Sequence, residues 1–342
     1  MNQSLIFKRQ ALLGTALLAL TFWGPGTARA VIFATTDDPA HNTTEPTGEL
    51  AGSGWQYQGR WLGFLGTVVS PRHFITAKHV GGSVGGGFVF QGETYTTVGV
   101  VNNGSDLNVW EVAGTFPHYA PLAQTASPTG QPVVIFGRGT RRGAEVIVND
   151  QLKGWTWGAA DGVLRWGENV VAGKQGSLLK FNFDRAGGPN EVHLSSGDSG
   201  GGIFVNDAGT WKLAAIAYAV EGPWKYTSTG ATFNAALVDK GGLYRGSTLN
   251  PDNEADSPSA FYATPIAPHL DWLLSVLDLP QPAAPPAPKG VQLVVSPPSE
   301  GESEPDMSVR FESLIETEIS AAVIKVGQPD RLKSLLAPQP GR

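Results

Sequence analysis

The chain has 342 residues, a hydrophobic fraction of 41% and a formal net charge of −6, with 44 Gly and 25 Pro. This length supports one large or two ordinary domains with a sizeable core, and the Gly and Pro content is typical of turn-rich β structure. The acidic balance, without a basic stripe, argues against nucleic-acid binding. The chain contains no Cys, which excludes disulfides, iron–sulfur clusters, Cys-ligated zinc and thiol nucleophiles.

The first thirty residues, 1–30, have the pattern of a cleaved signal peptide. Lys8 and Arg9 form a positive start, residues 11–22 are an apolar run, and residues 28–30 (ARA) supply the small side chains that signal peptidase reads. The apolar run is short for a bilayer span. We therefore expect a bacterial protein that is exported, extracellular or periplasmic, and has no stable membrane span after cleavage.

The middle of the chain reads as an all-β domain. Residues 31–54 form a polar, turn-rich N-terminal extension, and residues 55–279 hold short β-like runs such as HFITAKHV, LNVWEV, QPVVIFG and KLAAIAYAV. Their spacing predicts an antiparallel barrel or sandwich rather than alternating β and α units. Residues 269–278 predict a short amphipathic helix that closes this domain.

Beyond this domain, residues 280–289 are a Pro-rich, stiff and extended linker, followed by a C-terminal tail, 290–342. The tail has a strand-like run at 291–295. Apolar residues at i+4 spacing predict a helical face made of Phe311, Ile315, Ile319 and Val323. An intramolecular strap, an export or anchoring element and a disordered extension all fit this pattern.

The sharpest motif is Gly197-Asp198-Ser199-Gly200-Gly201. A serine nucleophile needs an exposed Oγ with backbone N–H groups nearby for the oxyanion, and glycines permit the tight backbone that points those donors. A Gly-rich surface turn is the alternative, and a serine nucleophile at Ser199 fits the pattern better.

Two further strings supply the partners that such a serine needs. His79 ends the β run FITAKH, and Asp106 directly precedes the β run LNVWEV. Taken alone, an Asp at such a position is typical of a turn or of the start of a strand. Together they place base, orienting carboxylate and nucleophile in the order His, Asp, Ser. That order differs from the orders of α/β-hydrolases and subtilisins.

With these motifs, residues 55–279 resemble the chymotrypsin/trypsin-like serine peptidase family. TAKH resembles the family's TAAH motif, GDSGGG its nucleophile motif, AAIAYAV a wall of its specificity pocket, and LDWLLSVL its C-terminal helix. The resemblance implies two packed antiparallel β-barrels with His79, Asp106 and Ser199 as catalytic residues in the crevice between them. It also implies an oxyanion hole made by the backbone N–H groups of Gly197 and Ser199. Val80 and Ser195 stand where relatives often have disulfide cysteines.

The resemblance also suggests a substrate pocket. His193 stands six residues before Ser199, at the position that resembles the pocket floor, where it could favour an acidic side chain or be a packed core histidine. Ala219 and Val220 are expected on the wall and would narrow the pocket. We therefore expect a preference for a small or medium apolar side chain. The long stretch 221–259 is expected to be an expanded loop beside the pocket.

Activation has two alternatives. In many relatives the mature N-terminal amine pairs with the Asp before the nucleophile, here Asp198, and cleavage after Ala30 would expose Val31 for that role. Alternatively, the N-terminal stretch is disordered, and Asp198 pairs with an Arg or with backbone amides.

The sequence therefore predicts a secreted serine endopeptidase that acts on protein or peptide substrates, with no cofactor. Two other functions remain open: an inactive member of the same fold used as a binding or adhesion module, and a glycan-binding β protein suggested by Trp155, Trp157 and Trp166. The six His residues show no HExxH spacing, so no metal site is expected.

Overall fold

The computed structural model describes residues 31–125, 129–277 and 279, together with two short strands in the tail. The chain separates into two units at the boundary between Leu279 and Pro280. The predicted signal peptide, the Pro-rich linker, the strand-like run at 291–295 and the proposed helical face of the tail lie outside the described residues. No helix among the described residues has the length and apolar character that a membrane span requires.

The first unit consists mainly of strands. In chain order these are β1 Ile32–Phe33, β2 Gln58–Trp61, β3 Phe64–Ser70, β4 His73–Ala77, β5 Gly87–Phe90, β6 Glu93–Val101, β7 Leu107–Val112, β8 Pro132–Gly137, β9 Thr140–Val148, β10 Gln151–Ala160, β11 Arg165–Gln175, β12 Leu178–Asn182, β13 Val192–His193, β14 Gly202–Asp207, β15 Thr210–Val220, β16 Trp224–Lys225, β17 Ala235–Leu237, β18 Tyr244–Arg245, β19 Thr248–Leu249 and β20 Ala260–Pro265. Helix α1 spans Leu270–Val276, and single 3-10 turns span Gly48–Leu50, Trp55–Tyr57, Lys78–Val80 and Ala267–His269.

Twelve of these strands close into two six-stranded antiparallel barrels. The first barrel has the order β2-β3-β4-β7-β6-β5, and the second has the order β11-β12-β20-β15-β14-β8. A two-residue alternation is visible in β12, where Leu179 and Phe181 are buried between half-exposed neighbours. The expectation of an all-β fold with two barrels is confirmed.

Three apolar clusters fill the barrels and the space between them. Phe74 and Phe88 stack at a centroid distance of 3.8 Å inside the first barrel, and Phe181 stacks on Phe261 inside the second. A third cluster takes residues from both barrels and from α1, whose Leu273 is fully buried. The predicted C-terminal helix is therefore present, one residue later than expected at its start, and it packs into the shared core.

The remaining strands attach smaller sheets to the barrels. β1 pairs with β13, so the N-terminal extension contributes a strand that is buried at Ile32 and Phe33. The long stretch after β15 is not one loop: it forms the sheet β16-β18-β19 and also β17, which joins the hairpin of β9 and β10. The second unit is described only by β21 (Ser308–Val309) and β22 (Ile324–Lys325), which pair antiparallel.

Candidate active site

His79 and Asp106 meet because two neighbouring strands of the first barrel end at the same edge. β4 and β7 are paired, with Ala77 opposite Leu107, so the residues just beyond this pair lie side by side. His79 lies in the 3-10 turn that follows β4, and its backbone N–H donates to Asp106 Oδ1 at 3.0 Å. The His79 ring nitrogen Nδ1 lies 2.8 Å from Asp106 Oδ2.

Ser199 completes this arrangement from the second barrel. It lies in the loop before β14, and its Oγ is 2.7 Å from His79 Nε2. The His79 ring is therefore hydrogen-bonded on both sides, with a carboxylate on one nitrogen and a hydroxyl on the other. The ring of Tyr218 lies edge-on to the ring of His79 at 5.6 Å.

A second set of hydrogen bonds holds the loop that carries Asp106. The Lys78 backbone N–H donates to Asp106 O at 2.9 Å. The side chain of Asn102 donates from Nδ2 to the carbonyl oxygens of Ser105 and Leu107, the residues on either side of Asp106. Lys78 Nζ donates to Asn102 Oδ1 at 3.2 Å. Lys78 stands where the resembling motif has a small residue, and it ties the His79 turn to the Asp106 loop.

The loop around Ser199 has two glycines with left-handed backbone. Gly197 has φ +98° and Gly200 has φ +81°. A Cβ on Gly200 would collide with Thr76 Oγ1 and Leu65 O of the first barrel, so glycine is needed where the two barrels approach. Among the described residues, the N–H groups of Asp198, Gly200 and Gly201 have backbone acceptors, whereas no acceptor is found for those of Gly197 and Ser199.

The carboxyl group of Asp198 is buried beneath this loop. It accepts hydrogen bonds from the N–H groups of Gly139 and Ser195, both at 2.7 Å, and from the Ser195 hydroxyl at 2.9 Å. The backbone N–H of Val31 also donates to it. Burial raises the pKa of Asp198 to about 6, and these hydrogen bonds oppose the rise.

The N-terminal residue of the predicted mature chain is thus held inside the fold. Val31 is 2% exposed, and it has φ +47°, which is unusual for a β-branched residue. One of the two alternatives had Asp198 paired with backbone amides, and this pairing is observed. One of those amides, however, is that of Val31, the residue that the other alternative pairs with Asp198. The following strand β1 keeps this stretch of chain ordered against β13.

A cavity of about 140 Å³ lies beside Ser199. It is lined by Trp157, Leu194, Ser195, Ser196, Ser199, Tyr218, Ala219 and Val220. None of these side chains is charged. Ala219 and Val220 are among the residues that line the cavity, and Tyr218 lies on the same strand, β15. Trp157 was missed as a pocket residue because nothing in the local sequence indicates that β10 reaches the cavity.

The structure corrects the assignment of His193 to the pocket. His193 is fully buried, does not line the cavity, and hydrogen-bonds to Leu194 O and Ser259 Oγ at 2.6 and 3.2 Å. Its ring lies between those of Phe183 and Phe261. Burial lowers the pKa of His193 to about 4. Of the two alternatives considered, the packed core histidine is the one observed.

Of the tryptophans considered for glycan binding, Trp155 and Trp157 belong to one apolar cluster and Trp166 packs against another. Trp155 is 6% exposed and lies under the Arg142 guanidinium, 3.6 Å from the ring centroid. Trp166 donates from Nε1 to Thr44 O and packs against the core shared by the two barrels. No cluster of side chains suited to a metal ion is present in the part of the chain that the structure describes.

Comparison with known proteins gives one sequence relative and several structures of similar fold. No protein-family model matches the chain. The serine protease SepA autotransporter of Shigella flexneri is 29% identical over 162 residues, which cover 42% of this chain and 11% of the relative. The chain thus spans about a tenth of the relative that it matches.

Two solved structures illustrate the structural likeness. A mutant of human heparin binding protein (CAP37) aligns with 68% of this chain and 95% of its own, at a TM-score of 0.44 and 13% identity. Neuropsin, a serine protease expressed in the limbic system of mouse brain, aligns with 68% of this chain and 98% of its own, at a TM-score of 0.42 and 14% identity.

The architecture and the sequence agree on one assignment. Two closed antiparallel barrels followed by a short C-terminal helix are the arrangement that the motifs implied. The relative that the chain resembles over 162 residues is a serine protease. The chain thus has the two-barrel fold of trypsin-like serine peptidases.

Proposed function

We propose that the chain is an exported serine endopeptidase in which Ser199 is the nucleophile, His79 the general base and Asp106 the group that orients it. The observation that carries this proposal is the doubly hydrogen-bonded ring of His79, with 2.7 Å to Ser199 Oγ and 2.8 Å to Asp106 Oδ2. Nucleophile, base and orienting carboxylate are all within hydrogen-bond distance, which is the geometry that activates a serine.

The reaction follows from the proton positions that this geometry favours. The Ser199 hydroxyl donates to His79 Nε2, and His79 Nδ1–H donates to Asp106. As Ser199 Oγ attacks the scissile carbonyl carbon, its proton passes to Nε2, and Asp106 stabilises the imidazolium that results. Collapse of the tetrahedral intermediate expels the amine, which takes that proton from Nε2. Water then hydrolyses the acyl-enzyme by the same steps in reverse.

The oxyanion of the tetrahedral intermediate needs hydrogen-bond donors that are fixed in advance. The N–H groups of Gly197 and Ser199 lack an acceptor among the described residues, whereas the N–H groups that alternate with them are already bonded within the fold. This pattern supports their role as the oxyanion hole. Loss of one such donor typically costs about 3 kcal/mol of transition-state stabilisation.

The cavity beside Ser199 supports a preference for a small or medium apolar side chain at the cleaved bond. Its lining contains no charge that could pair with a Lys, Arg, Asp or Glu side chain. Val220 and Ala219 narrow it from one side. The predicted signal peptide supports export, so protein or peptide substrates outside the cytoplasm are proposed.

The position of Val31 supports activation by cleavage after Ala30. The Val31 nitrogen already contacts the Asp198 carboxyl in the described chain. Cleavage would turn that nitrogen into a charged amine next to a buried carboxylate, which favours ionised Asp198 and fixes the loop of Gly197 and Ser199. It would also remove the unfavourable φ of Val31, since this angle requires a preceding residue.

The test uses the chain that begins at Val31, treated with a fluorophosphonate and measured as intact mass, with Ser199→Ala as the control. A stoichiometric adduct on Ser199 that is absent from the control is the expected result. A folded chain that takes no adduct would refute an activated serine and favour the inactive binding module.

A further inference from the structure

Trp157 is brought to the cavity by a hairpin that lies outside the motifs containing His79, Asp106 and Ser199. It lies on β10, which pairs with β9 on one edge and with β17 on the other. The backbone N–H of Trp157 donates to Asn234 O at 3.1 Å, just before β17 begins. Two strands therefore fix the backbone at this position, which limits how far the side chain can shift.

The Trp157 side chain contacts two different environments. On one side it lines the cavity together with Ser199 and Tyr218. On the other it packs against a buried cluster formed by Ile32, Trp155, Phe183, Ala236 and Val238. Because the cluster behind it is close-packed, the indole cannot swing away from the cavity without opening a void in the core.

The cavity is so small that the Trp157 side chain determines which substrate side chains fit into it. A closed cavity of about 150 Å³ holds one benzene molecule. The cavity here measures about 140 Å³ and is partly open, so a phenyl ring is at the limit of what it accepts. An indole is larger than benzene, and replacing it with a methyl group would about double the available space.

We propose that Trp157 is a specificity-determining residue, whose indole restricts the pocket to aliphatic side chains of the size of Ala, Val or Leu and excludes aromatic ones. This inference rests on the proposed peptidase function. The proposal also gives the stretch 221–259 a role. This stretch contains β17, which pairs with β10 directly before Trp157. The stretch shapes the pocket through its support of Trp157.

The experiment compares peptide substrates that differ only in the residue before the cleaved bond: Ala, Val, Leu, Phe and Trp. The enzymes are the chain that begins at Val31 and its variants Trp157→Ala and Trp157→Phe. Trp166→Phe is the matched control, since Trp166 lies on β11 and does not line the cavity. Fluorophosphonate titration counts active sites in each preparation, and Trp157→Phe serves if the alanine variant does not fold.

We expect Trp157→Ala to raise the ratio of kcat/KM for the Phe substrate over the Val substrate at least about tenfold. In an apolar pocket, a difference of one methylene between two substrates already changes their relative kcat/KM by about 10- to 200-fold. Trp157→Phe should raise it less, and Trp166→Phe should leave it unchanged. An unchanged ratio in Trp157→Ala and Trp157→Phe, with active sites still labelled, would overturn the specificity role and leave the peptidase intact. A parent chain that takes no label would overturn the proposed function, and the role of Trp157 with it.

Discussion

The buried carboxyl of Glu191 should make the stability of the protein depend on pH, and Glu191→Gln should remove that dependence. Glu191 is 3% exposed, and its Oε1 accepts hydrogen bonds from Asn169 Nδ2 and Asp184 N–H, both at 2.9 Å. Burial raises the pKa of Glu191 to about 8. A glutamine keeps the carbonyl acceptor for both donors but has no proton to release.

The sign and size of the effect follow from the two pKa values. The ordinary pKa of the group is 4.5, so between pH 5 and 8 the folded protein holds a proton that the unfolded chain has already released. The free energy of unfolding therefore falls as the pH rises through this range. One pKa unit corresponds to about 1.4 kcal/mol, which gives a loss of about 3 to 4 kcal/mol between pH 5 and pH 8.

Urea unfolding at pH 5, 6.5 and 8 measures this loss in the chain that begins at Val31. Asp198 and His193 also titrate, but they do so in both proteins, so the difference between the curves of parent and Glu191→Gln reports on Glu191. Glu93→Gln, at an exposed position of β6, is the control and should follow the parent. A parent-minus-variant difference that changes by less than about 1 kcal/mol between pH 5 and 8 would refute the reasoning.

Three further predictions concern the candidate site. Asp106→Asn should lower kcat by about four orders of magnitude without unfolding the chain, because an amide does not hold His79 in the required tautomer; near-normal turnover in a steady-state assay would show that another group orients His79. Asn102→Ala should lower kcat about tenfold with little change in KM, because the loop that carries Asp106 loses its side-chain clamp; kcat equal to the parent's would contradict this role. One Ala added before Val31, in the chain that begins at Val31, should lower kcat/KM at least about a hundredfold. The extra residue moves the terminal amine away from Asp198 and leaves the buried carboxylate without a cation, at a cost of about 3 kcal/mol or more. Full activity would rule out the pairing of the amine with Asp198.

The barrels and the placement of the candidate triad could be predicted because their signals are local. A GDSGG loop and a strand ending on His79 each carry their chemical requirements within a few residues, and short β-like runs separated by turn residues indicate an all-β fold. The structure brings His79, Asp106 and Ser199 within hydrogen-bond distance of one another. Their catalytic roles remain predictions.

The pocket could not be predicted equally well because it depends on pairings between distant segments. Counting six residues back from Ser199 gives His193, but the pairing of β13 with β1 places that residue in the core. Trp157 reaches the cavity only because β10 is held between β9 and β17, and β17 lies about eighty residues further along the chain. Sequence spacing carries no information on such contacts.

Ser195 stands at the position where the resemblance to trypsin-like peptidases led us to expect a cysteine in many relatives. Its hydroxyl accepts a hydrogen bond from the Thr140 N–H at 2.9 Å and lies 2.9 Å from Asp198, so side-chain hydrogen bonds connect the nucleophile loop to its neighbours. Because the chain has no Cys, the loop is held by hydrogen bonds rather than by a disulfide, and a thiol reductant does not break them. The loop should therefore keep its shape in oxidising and reducing surroundings alike, and folding should need no oxidase or disulfide isomerase.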